Sequence, residues 1–222
     1  MSRRLATTEV QKLLANMEQR LATLESGGFV MLVDGKPLLV GSHSKDPDVE
    51  WGRVRRGWAL GYKFHAVYGV GSIPLCWEVQ PVNVAEPEVA ARLIPSLRRG
   101  GGYILGDCAF DSNPLHDIAL SVGCQLVAPR KRPGSGLGHR RHSPGRLRSI
   151  ALLGQKFGQA LHAYREEVER RFGWLTNHAA GLAPLPNWVR RLPRVQLWIQ
   201  AKLIIHATFV YLTSRPPPLA VA

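Results

Sequence analysis

Cysteine is scarce in this sequence. The 222 residues include three cysteines, Cys76, Cys108 and Cys124, and no C-x-x-C pair. An odd number at these spacings fits neither a disulfide framework nor a cysteine zinc site, which excludes small disulfide-stabilised folds and zinc ribbons. A reducing cytosol is the expected setting.

Long apolar runs are also missing. The most apolar stretch, 195–212, is interrupted by Gln196, Gln200, Lys202 and His206, whereas a membrane-spanning helix needs about 20 nearly uninterrupted apolar residues. The N-terminus has no apolar core of a secretory signal. We therefore predict a buried helix over this stretch, a cytoplasmic location and no membrane partner.

Acidic residues are few, and they are unevenly distributed. The chain has 29 Lys+Arg and 16 Asp+Glu, which gives a net charge of +13. Residues 1–117 contain 13 basic and 13 acidic side chains, whereas residues 118–222 contain 16 basic and 3 acidic ones. Such a field attracts polyanions, and charge alone leaves nucleic acid and an anionic surface open as partners. The second half of the chain is predicted to face the partner.

The remaining composition is that of an ordinary folded domain, with 45% hydrophobic and 20% charged residues. Apolar periodicity predicts strands and helices that alternate along the chain, hence an α/β fold in one domain. The predicted helices cover 7–24, 86–97, 114–120, a segment around 161–175, and 188–212. The predicted strands cover 29–33, 37–40, 62–70, 73–79, 103–105 and 124–128. The predicted loops cover 42–57 and 130–150.

Two aspartates, Asp34 and Asp107, come at the ends of predicted strands. Carboxylates at strand ends lie at the sheet edge where α/β folds place their sites. Taken alone, Asp34-Gly35 predicts a hairpin turn between two paired strands. Asp107 alone predicts a turn cap, and nearby Asp111 and Asp117 are predicted helix caps.

Three glutamates, Glu166, Glu167 and Glu169, are the acidic residues of the basic half. With the core face of their helix set by its apolar residues, Glu166 points away from the core and the other two flank that face on opposite sides. Arg165 lies one turn before Glu169 on the same flank. Such an i,i+4 pair is also ordinary surface support, so the spacing leaves a structural and a functional role open.

Three segments together resemble the DDE transposases of bacterial insertion sequences, which share the RNase H-like fold. The segments are Val33-Asp34-Gly35, Leu105-Gly106-Asp107-Cys108-Ala109-Phe110-Asp111 and Arg165-Glu166-Glu167-Val168-Glu169-Arg170-Arg171-Phe172-Gly173-Trp174-Leu175. Gly61-Tyr62-Lys63-Phe64-His65 is similar to the family's strand between the first two acids. The resemblance implies an RNase H-like mixed α/β sheet flanked by helices, with an N-terminal amphipathic helix. It matches Asp34, Asp107 and Glu169 to the catalytic triad.

The resemblance also implies metal-dependent phosphoryl transfer on DNA. Asp34 would bridge two Mg²⁺ ions, with Mn²⁺ as a substitute, while Asp107 and Glu169 would each hold one. Water would attack for strand cleavage and a DNA 3′-hydroxyl for strand transfer. The implied partners are double-stranded transposon ends and target DNA, in a bacterial nucleoid. The expected DNA contacts are Arg130, Lys131, Arg132, Arg140, Arg141, Arg165 and Arg170.

Two positions depart from the family pattern. His162 stands where many relatives have tyrosine and Thr176 where they have lysine, which implies lost contacts to the DNA end. Relatives also usually carry a DNA-end-binding module ahead of the catalytic domain, whereas about 27 residues precede the first strand here. We therefore divide the chain into an N-terminal helix or linker remnant (1–27), a catalytic domain (28–212) and a loose proline-rich tail (213–222).

Two other functions stay open at this point. One is an RNase H-like nuclease that cuts without strand transfer, and the other is a non-catalytic DNA-binding remnant of a transposase. The sequence also leaves monomer and homodimer open. Trp58, beside Arg55 and Arg56, either packs into the fold or stacks on a base. The motif His139-x-x-His142 favours phosphate contact over zinc.

Overall fold

The structure is a computed structural model, and it describes residues 7–24, 28–55, 57–69, 71, 73–97, 101–139, 141–177 and 181–214. Predictions that concern Arg140, Arg56, the first six residues and most of the proline-rich tail lie outside these ranges. The helices are α1 (Thr8–Leu24), α2 (Glu86–Leu93), α3 (Asn113–Ser121), α4 (Pro144–Leu153), α5 (Lys156–Ala163), α6 (Glu166–Asn177) and α7 (Leu192–Ser214). The strands are β1 (Val30–Leu39), β2 (Glu50–Val54), β3 (Gly57–Tyr68), β4 (Pro74–Pro81), β5 (Tyr103–Leu105) and β6 (Gln125–Val127).

The six strands form one mixed sheet in the order β2-β3-β1-β5-β6, with β4 also paired to β3. The first half of the chain makes the antiparallel part, in which β3 pairs with β1, β2 and β4. The strands β1, β5 and β6 run parallel to one another. Helices connect the parallel strands, as such crossovers require.

Hydrophobic cores lie on both faces of the sheet. On one face, β1 and β3 pack against α6 and α7 through Leu32, Phe64, Phe172 and Ile199. On the other face, alternate residues of β1 such as Val33 pack against α2 and α3. This two-sided burial confirms the predicted mixed sheet flanked by helices. The predicted N-terminal helix is also present, and its Glu18 carboxylate accepts hydrogen bonds from Trp77 and Gln200.

The predicted hairpin at Asp34-Gly35 is wrong, because β1 continues through both residues. Asp34 pairs with Ala66 and Gly35 with His65 in the ladder to β3. The glycine is needed for close packing instead of a turn: a Cβ at position 35 would lie 2.9 Å from Lys63 Cδ and 3.1 Å from Glu86 Oε1. Tertiary pairing with β3 therefore overrides the local turn signal.

Two predicted loops contain regular structure. Residues 50–54 of the first loop form β2, an edge strand with few apolar residues. Residues 144–153 of the second form α4, which starts with Pro144 at its first position and buries Gly145 and Ser149. The helix predicted around 161–175 is two helices, α5 and α6, which meet at Tyr164 and Arg165.

Helix α7 is half-buried. Val195, Ile199 and Leu203 lie in the core, whereas Phe209 and Leu212 are exposed. By length and composition this helix could cross a membrane, yet a third of its apolar window is buried in the domain. The prediction of a buried helix therefore holds for the residues that face the sheet and not for the outer face.

Candidate active site

Asp34 and Asp107 lie at the same level on adjacent parallel strands. Leu32 of β1 pairs with Leu105 of β5, and each aspartate follows its leucine by two residues. Asp34 stays within the sheet, and Asp107 begins the turn after β5. The parallel alignment therefore brings the two carboxylates to the same level of the sheet, although β1 does not end at Asp34 as predicted.

Arg165 joins these two carboxylates. Its Nη2 lies 3.9 Å from Asp34 Oδ2 and 4.0 Å from Asp107 Oδ2. Arg165 is at the junction between α5 and α6, and its buried Nε has no hydrogen-bond partner among the described residues. One guanidinium thus serves two aspartates at distances longer than a hydrogen bond.

The charge of Asp34 is poorly compensated. Burial, the largest cause, raises the pKa of its carboxyl from 3.8 to about 6. The Gly35 N–H, 2.8 Å from Oδ1, and the Arg165 guanidinium lower this pKa, while the charges of Glu86 and Asp107 raise it. A buried carboxylate with a raised pKa beside a second carboxylate is typical of functional sites.

A second ion pair borders Asp34 on the other face of the sheet. Lys63 Nζ donates to Glu86 Oε1 at 3.0 Å, and both side chains are largely buried. Next to them, His65 is buried with its Nε2 unpartnered within the described part of the chain. Burial, the largest cause, and the charge of Lys63 together lower the pKa of His65 to about 3. The sequence segment around Lys63 resembled the family, but no local signal pointed to the pairing with Glu86.

The turn that carries Asp107 is fixed from two sides. Asp107 Oδ1 accepts a hydrogen bond from the Ala109 N–H at 2.7 Å, so it does cap a turn. His162 Nε2 donates to the Gly106 carbonyl at 3.1 Å. His162, which stands where relatives have tyrosine, thereby links α5 to the residue before Asp107.

The glutamates of α6 do not join the aspartates. Glu167 pairs with Arg170 at 2.6 Å and lies 3.8 Å from Arg171 Nε, so it supports the helix. Glu166 and Glu169 are exposed. Within the described ranges no three His, Cys, Asp or Glu side chains lie close enough together to hold a metal ion, so Glu169 stands apart from the pair.

The aspartate pair itself suits a hard divalent cation. Such ions prefer carboxylate oxygens. The half-buried Asp34 carboxylate accepts the Gly35 N–H at Oδ1 and has the Arg165 guanidinium 3.9 Å from Oδ2. Burial disfavours the negative charge of Asp34, and a bound cation would compensate that charge. Asp34 and Asp107 are the adjacent carboxylates that could hold a cation, and the predicted metal-binding roles of Asp34, Asp107 and Glu169 stay predictions.

Comparison with known proteins decides the family. A family model described as a transposase DDE domain matches residues 26–206 of the chain. The chain belongs to this family. Members of the transposase DDE family generally use divalent metal ions.

The solved structures agree with this assignment. The DDE domain is similar to piggyBac transposase in a cryo-EM structure of its synaptic complex with hairpin DNA, with a TM-score of 0.56 and 14% identity. The match covers 93% of this chain and 52% of that one, so the chain spans about half the length of that transposase. At this identity the similarity shows the fold, and it confirms the predicted RNase H-like architecture. A comparison with curated protein sequences gives no match.

The predicted DNA contacts of the DDE domain surround a second buried carboxylate. Asp111 accepts hydrogen bonds from Arg146 Nε at 2.6 Å and Nη2 at 2.8 Å, and from the Lys131 N–H at 3.2 Å. Burial alone raises the pKa of Asp111, but these bonds offset it and hold the pKa below its ordinary value. Asp111 therefore does not cap a helix as predicted, because a long-range arginine takes its carboxylate.

The same arginine organises the basic loop. Arg146 Nη1 donates to His142 Nδ1 at 3.0 Å, and His142 Nε2 donates to the Leu137 carbonyl at 2.8 Å. The imidazole is thus engaged at both nitrogens, which leaves no position for zinc. Around it, a cavity of about 540 Å³ is lined by Arg130, Lys131, Arg132, His139 and Arg146 among others.

The other predicted contacts differ in accessibility. Lys131, Arg132 and Arg141 are exposed, whereas Arg130 is half-buried and donates to the carbonyls of Pro133 and Ser135. Arg170 is exposed despite its pairing with Glu167. These cations are accessible to a phosphate backbone, and Arg165 is instead held at the carboxylates.

Proposed function

We propose that this DDE domain is the catalytic domain of an insertion-sequence transposase, which cleaves DNA strands and joins them to a target. The supporting observation is that Asp34 and Asp107, next to each other on the parallel strands β1 and β5, both face the Arg165 guanidinium. In this family such carboxylates serve nucleotidyl transfer on DNA. Double-stranded transposon ends and target DNA are the proposed substrates.

Asp34, Asp107 and Glu169 are the proposed ligands for Mg²⁺, two ions being the full complement and Mn²⁺ a substitute. Bound there, the metal would activate an attacking oxygen and stabilise the leaving one. Arg165 offsets part of the negative charge of the two aspartates, since its guanidinium lies within 4.0 Å of both. Glu169 is exposed on α6, one turn after Arg165.

The basic half positions the DNA. Exposed Lys131, Arg132, Arg141 and Arg170 are proposed to contact phosphates, with Arg130 and Arg140 on the same loop. Phosphate contacts of this kind are independent of sequence and weaken as the salt concentration rises. We propose a bacterial cytoplasmic, nucleoid-associated protein, in which 28–212 is the catalytic domain, 1–27 a helix or linker and 213–222 a tail, acting as a monomer or homodimer.

A cleavage and joining assay tests the proposal. Labelled duplex carrying the element ends is incubated with Mg²⁺, and both cut and joined products are measured. Asp34→Asn, Asp107→Asn and Glu169→Gln should each lower cleavage at least a hundredfold while DNA affinity changes less than threefold, which is an order-of-magnitude expectation for lost ligands. The matched control is Glu166→Gln, which removes the same charge from an exposed position of the same helix. Wild-type cleavage by any of the first three variants would refute that residue's role.

The separation of Glu169 from the aspartates favours a second candidate, a non-catalytic DNA-binding remnant. Calorimetry with Mn²⁺ distinguishes the two. The catalytic domain should bind the ion saturably, and Asp107→Asn should abolish the binding. A remnant should give no metal binding and no cut product but unchanged affinity for DNA. Cut product without joined product would instead identify a nuclease.

A further inference from the structure

The strand β2 and the first residues of β3 form a two-stranded ribbon, residues 50–61, at one end of the sheet. In its register Trp51 pairs with Leu60, and Arg53 pairs with Trp58. Cross-strand partners share a face, and so do alternate residues of one strand. Trp51, Arg53 and Trp58 therefore lie together on one face of the ribbon.

This face is exposed at Trp51, Arg53 and Trp58 and enters the core only at Leu60, the ladder partner of Trp51. On the opposite face Gly52 packs so closely on the segment after β4 that a Cβ would lie 2.8 Å from the backbone of Val82 and Asn83. Trp58 is 73% exposed and Trp51 is 50% exposed, although tryptophan is normally among the well-buried residues. The ribbon is thus anchored on one side and presents two indoles to solvent on the other.

The spacing of the two indoles suits a planar ligand. Trp51 and Trp58 are diagonal neighbours in the ladder, a relation that places the residues about 7–8 Å apart. That is about twice the 3.4 Å spacing of stacked bases, so one base has room between the rings. The described residues contain aromatic contacts elsewhere, but neither indole of the ribbon takes part in them.

The charge of the ribbon selects the class of ligand. Arg53 adjoins both indoles, two residues after Trp51 on β2 and directly opposite Trp58 on β3. Arg55 is exposed at the turn, and Glu50 is the ribbon's one acidic residue. Aromatic rings interleaved with arginines bind unpaired nucleic acid, because the rings stack on bases and the cations contact the backbone. An apolar protein partner would not require these cations.

We propose that the outer face of the ribbon binds an unpaired base of the DNA, with Trp51 and Trp58 stacking on the base and Arg53 contacting the backbone. The proposal rests on DNA being the substrate of this domain. Trp58 is eight residues along β3 from Ala66, the ladder partner of Asp34. This separation is at most about 26 Å, or about eight base pairs of B-form DNA, so the bound base lies away from the cleaved phosphate.

The test compares single-stranded and duplex DNA. The full chain is titrated with a fluorescein-labelled 20-nucleotide single strand and with the corresponding duplex, and anisotropy and tryptophan quenching are recorded. Trp58→Ala should weaken binding of the single strand roughly five- to 150-fold, the range for loss of one stacked base. Trp58→Phe should retain most of the affinity, and Arg53→Gln should weaken it with a smaller salt dependence. Duplex affinity should change less. The matched control is Phe209→Ala, which removes a half-exposed aromatic ring from α7.

Two results would overturn the proposal. One is single-strand affinity of Trp51→Ala and Trp58→Ala within twofold of the wild type. The other is that these variants have a lower molecular mass than the wild type by light scattering while their DNA affinity is unchanged. That result would show that this face is a contact between copies of the chain. Cleavage by the unsubstituted protein is measured alongside. If it cleaves DNA and Trp58→Ala leaves binding unchanged, only the ribbon proposal is refuted. If it does not cleave DNA and Trp58→Ala weakens binding, only the catalytic function is refuted. Unchanged circular dichroism confirms that each variant folds.

Discussion

Arg146 and Arg165 both face aspartates near the turn that follows β5, and their contacts differ in geometry. Arg146 forms two short hydrogen bonds to Asp111, at 2.6 and 2.8 Å, and Asp111 has a lowered pKa. Arg165 is divided between Asp34 and Asp107 at 3.9 and 4.0 Å, and Asp34 has a raised pKa.

The difference separates a structural ion pair from a site with unused binding capacity. At Asp111 the carboxylate oxygens are saturated by donors, so the pair only stabilises the loop. At Asp34 burial outweighs the favourable charges and raises the pKa, an arrangement typical of functional sites. Two neighbouring aspartates of one turn, Asp107 and Asp111, thus belong to different kinds of site.

Removing Arg146 should have the largest effect. Arg146→Met leaves the Asp111 carboxylate buried with the Lys131 N–H as its remaining hydrogen-bond donor, which should lower the free energy of unfolding at pH 7.5 by about 3–5 kcal/mol. The loss should shrink as the pH falls through 3.8, because the lowered pKa stabilises the fold only while Asp111 is ionised. Urea unfolding measures it. The control Arg148→Met changes an exposed residue of the same helix and should alter the free energy of unfolding by no more than about 0.5 kcal/mol. An equal loss in both variants would show that the ion pair with Asp111 is not what stabilises the fold.

Replacing Asp34 should have the opposite sign. A folded-state pKa of about 6 means that stability is lost as the pH rises from 3.8 through 6, since ionisation costs more in the folded state. Asp34→Asn should therefore stabilise the metal-free protein by up to about 3 kcal/mol at pH 7.5 and by almost nothing at pH 4.

The measurement for Asp34 is urea unfolding at both pH values in the presence of a chelator. Asp117→Asn, which removes an exposed carboxylate from α3, is the control and should show no such gain. Destabilisation by Asp34→Asn at both pH values would show that Asp34 is a structural partner like Asp111.

The smallest effect is expected at His162, which supports the Asp107 turn by one hydrogen bond. His162→Phe removes the donor to the Gly106 carbonyl and should cost about 0.5–1.5 kcal/mol in unfolding free energy. His162→Gln keeps a hydrogen-bond donor and should recover part of the lost unfolding free energy. Equal losses in both variants would mean that ring packing, and not the hydrogen bond, fixes the turn.

The sequence predicts the parts of this fold that depend on local pattern. The apolar run before Asp34, the strand at 103–105 and the N-terminal helix all follow from periodicity. The parallel pairing of β1 with β5, which brings Asp34 and Asp107 together, is known only from the structure. The prediction of a turn at Asp34-Gly35 is wrong because Gly35 instead allows close packing on Lys63. Lys63 belongs to a strand about 30 residues away, so the local sequence does not reveal this contact.

Long-range partners set the limit of sequence prediction at the site. Neither the pairing of Arg146 with Asp111, 35 residues apart, nor that of Lys63 with Glu86 has a local signal. The match of Arg165 to the family predicts a DNA contact, whereas its place between the two aspartates depends on how α6 packs on β1. The exposure of Trp58 likewise depends on β2 being an edge strand. The sequence analysis predicts residues 42–57 as a loop and so does not reveal this.

The strand β3 pairs along its whole length, with β2 over Gly57–Gly61 and with β1 and β4 beyond it. Because the strand is paired throughout, the distance between Trp58 and Ala66 is fixed by the rise per residue of an extended chain. An insertion of two residues between them would increase this distance by about 6.6 Å and keep each side chain on its face of the sheet. An insertion of one residue would move the Trp58 indole to the opposite face. Lengths of β3 in related chains should accordingly change in steps of two.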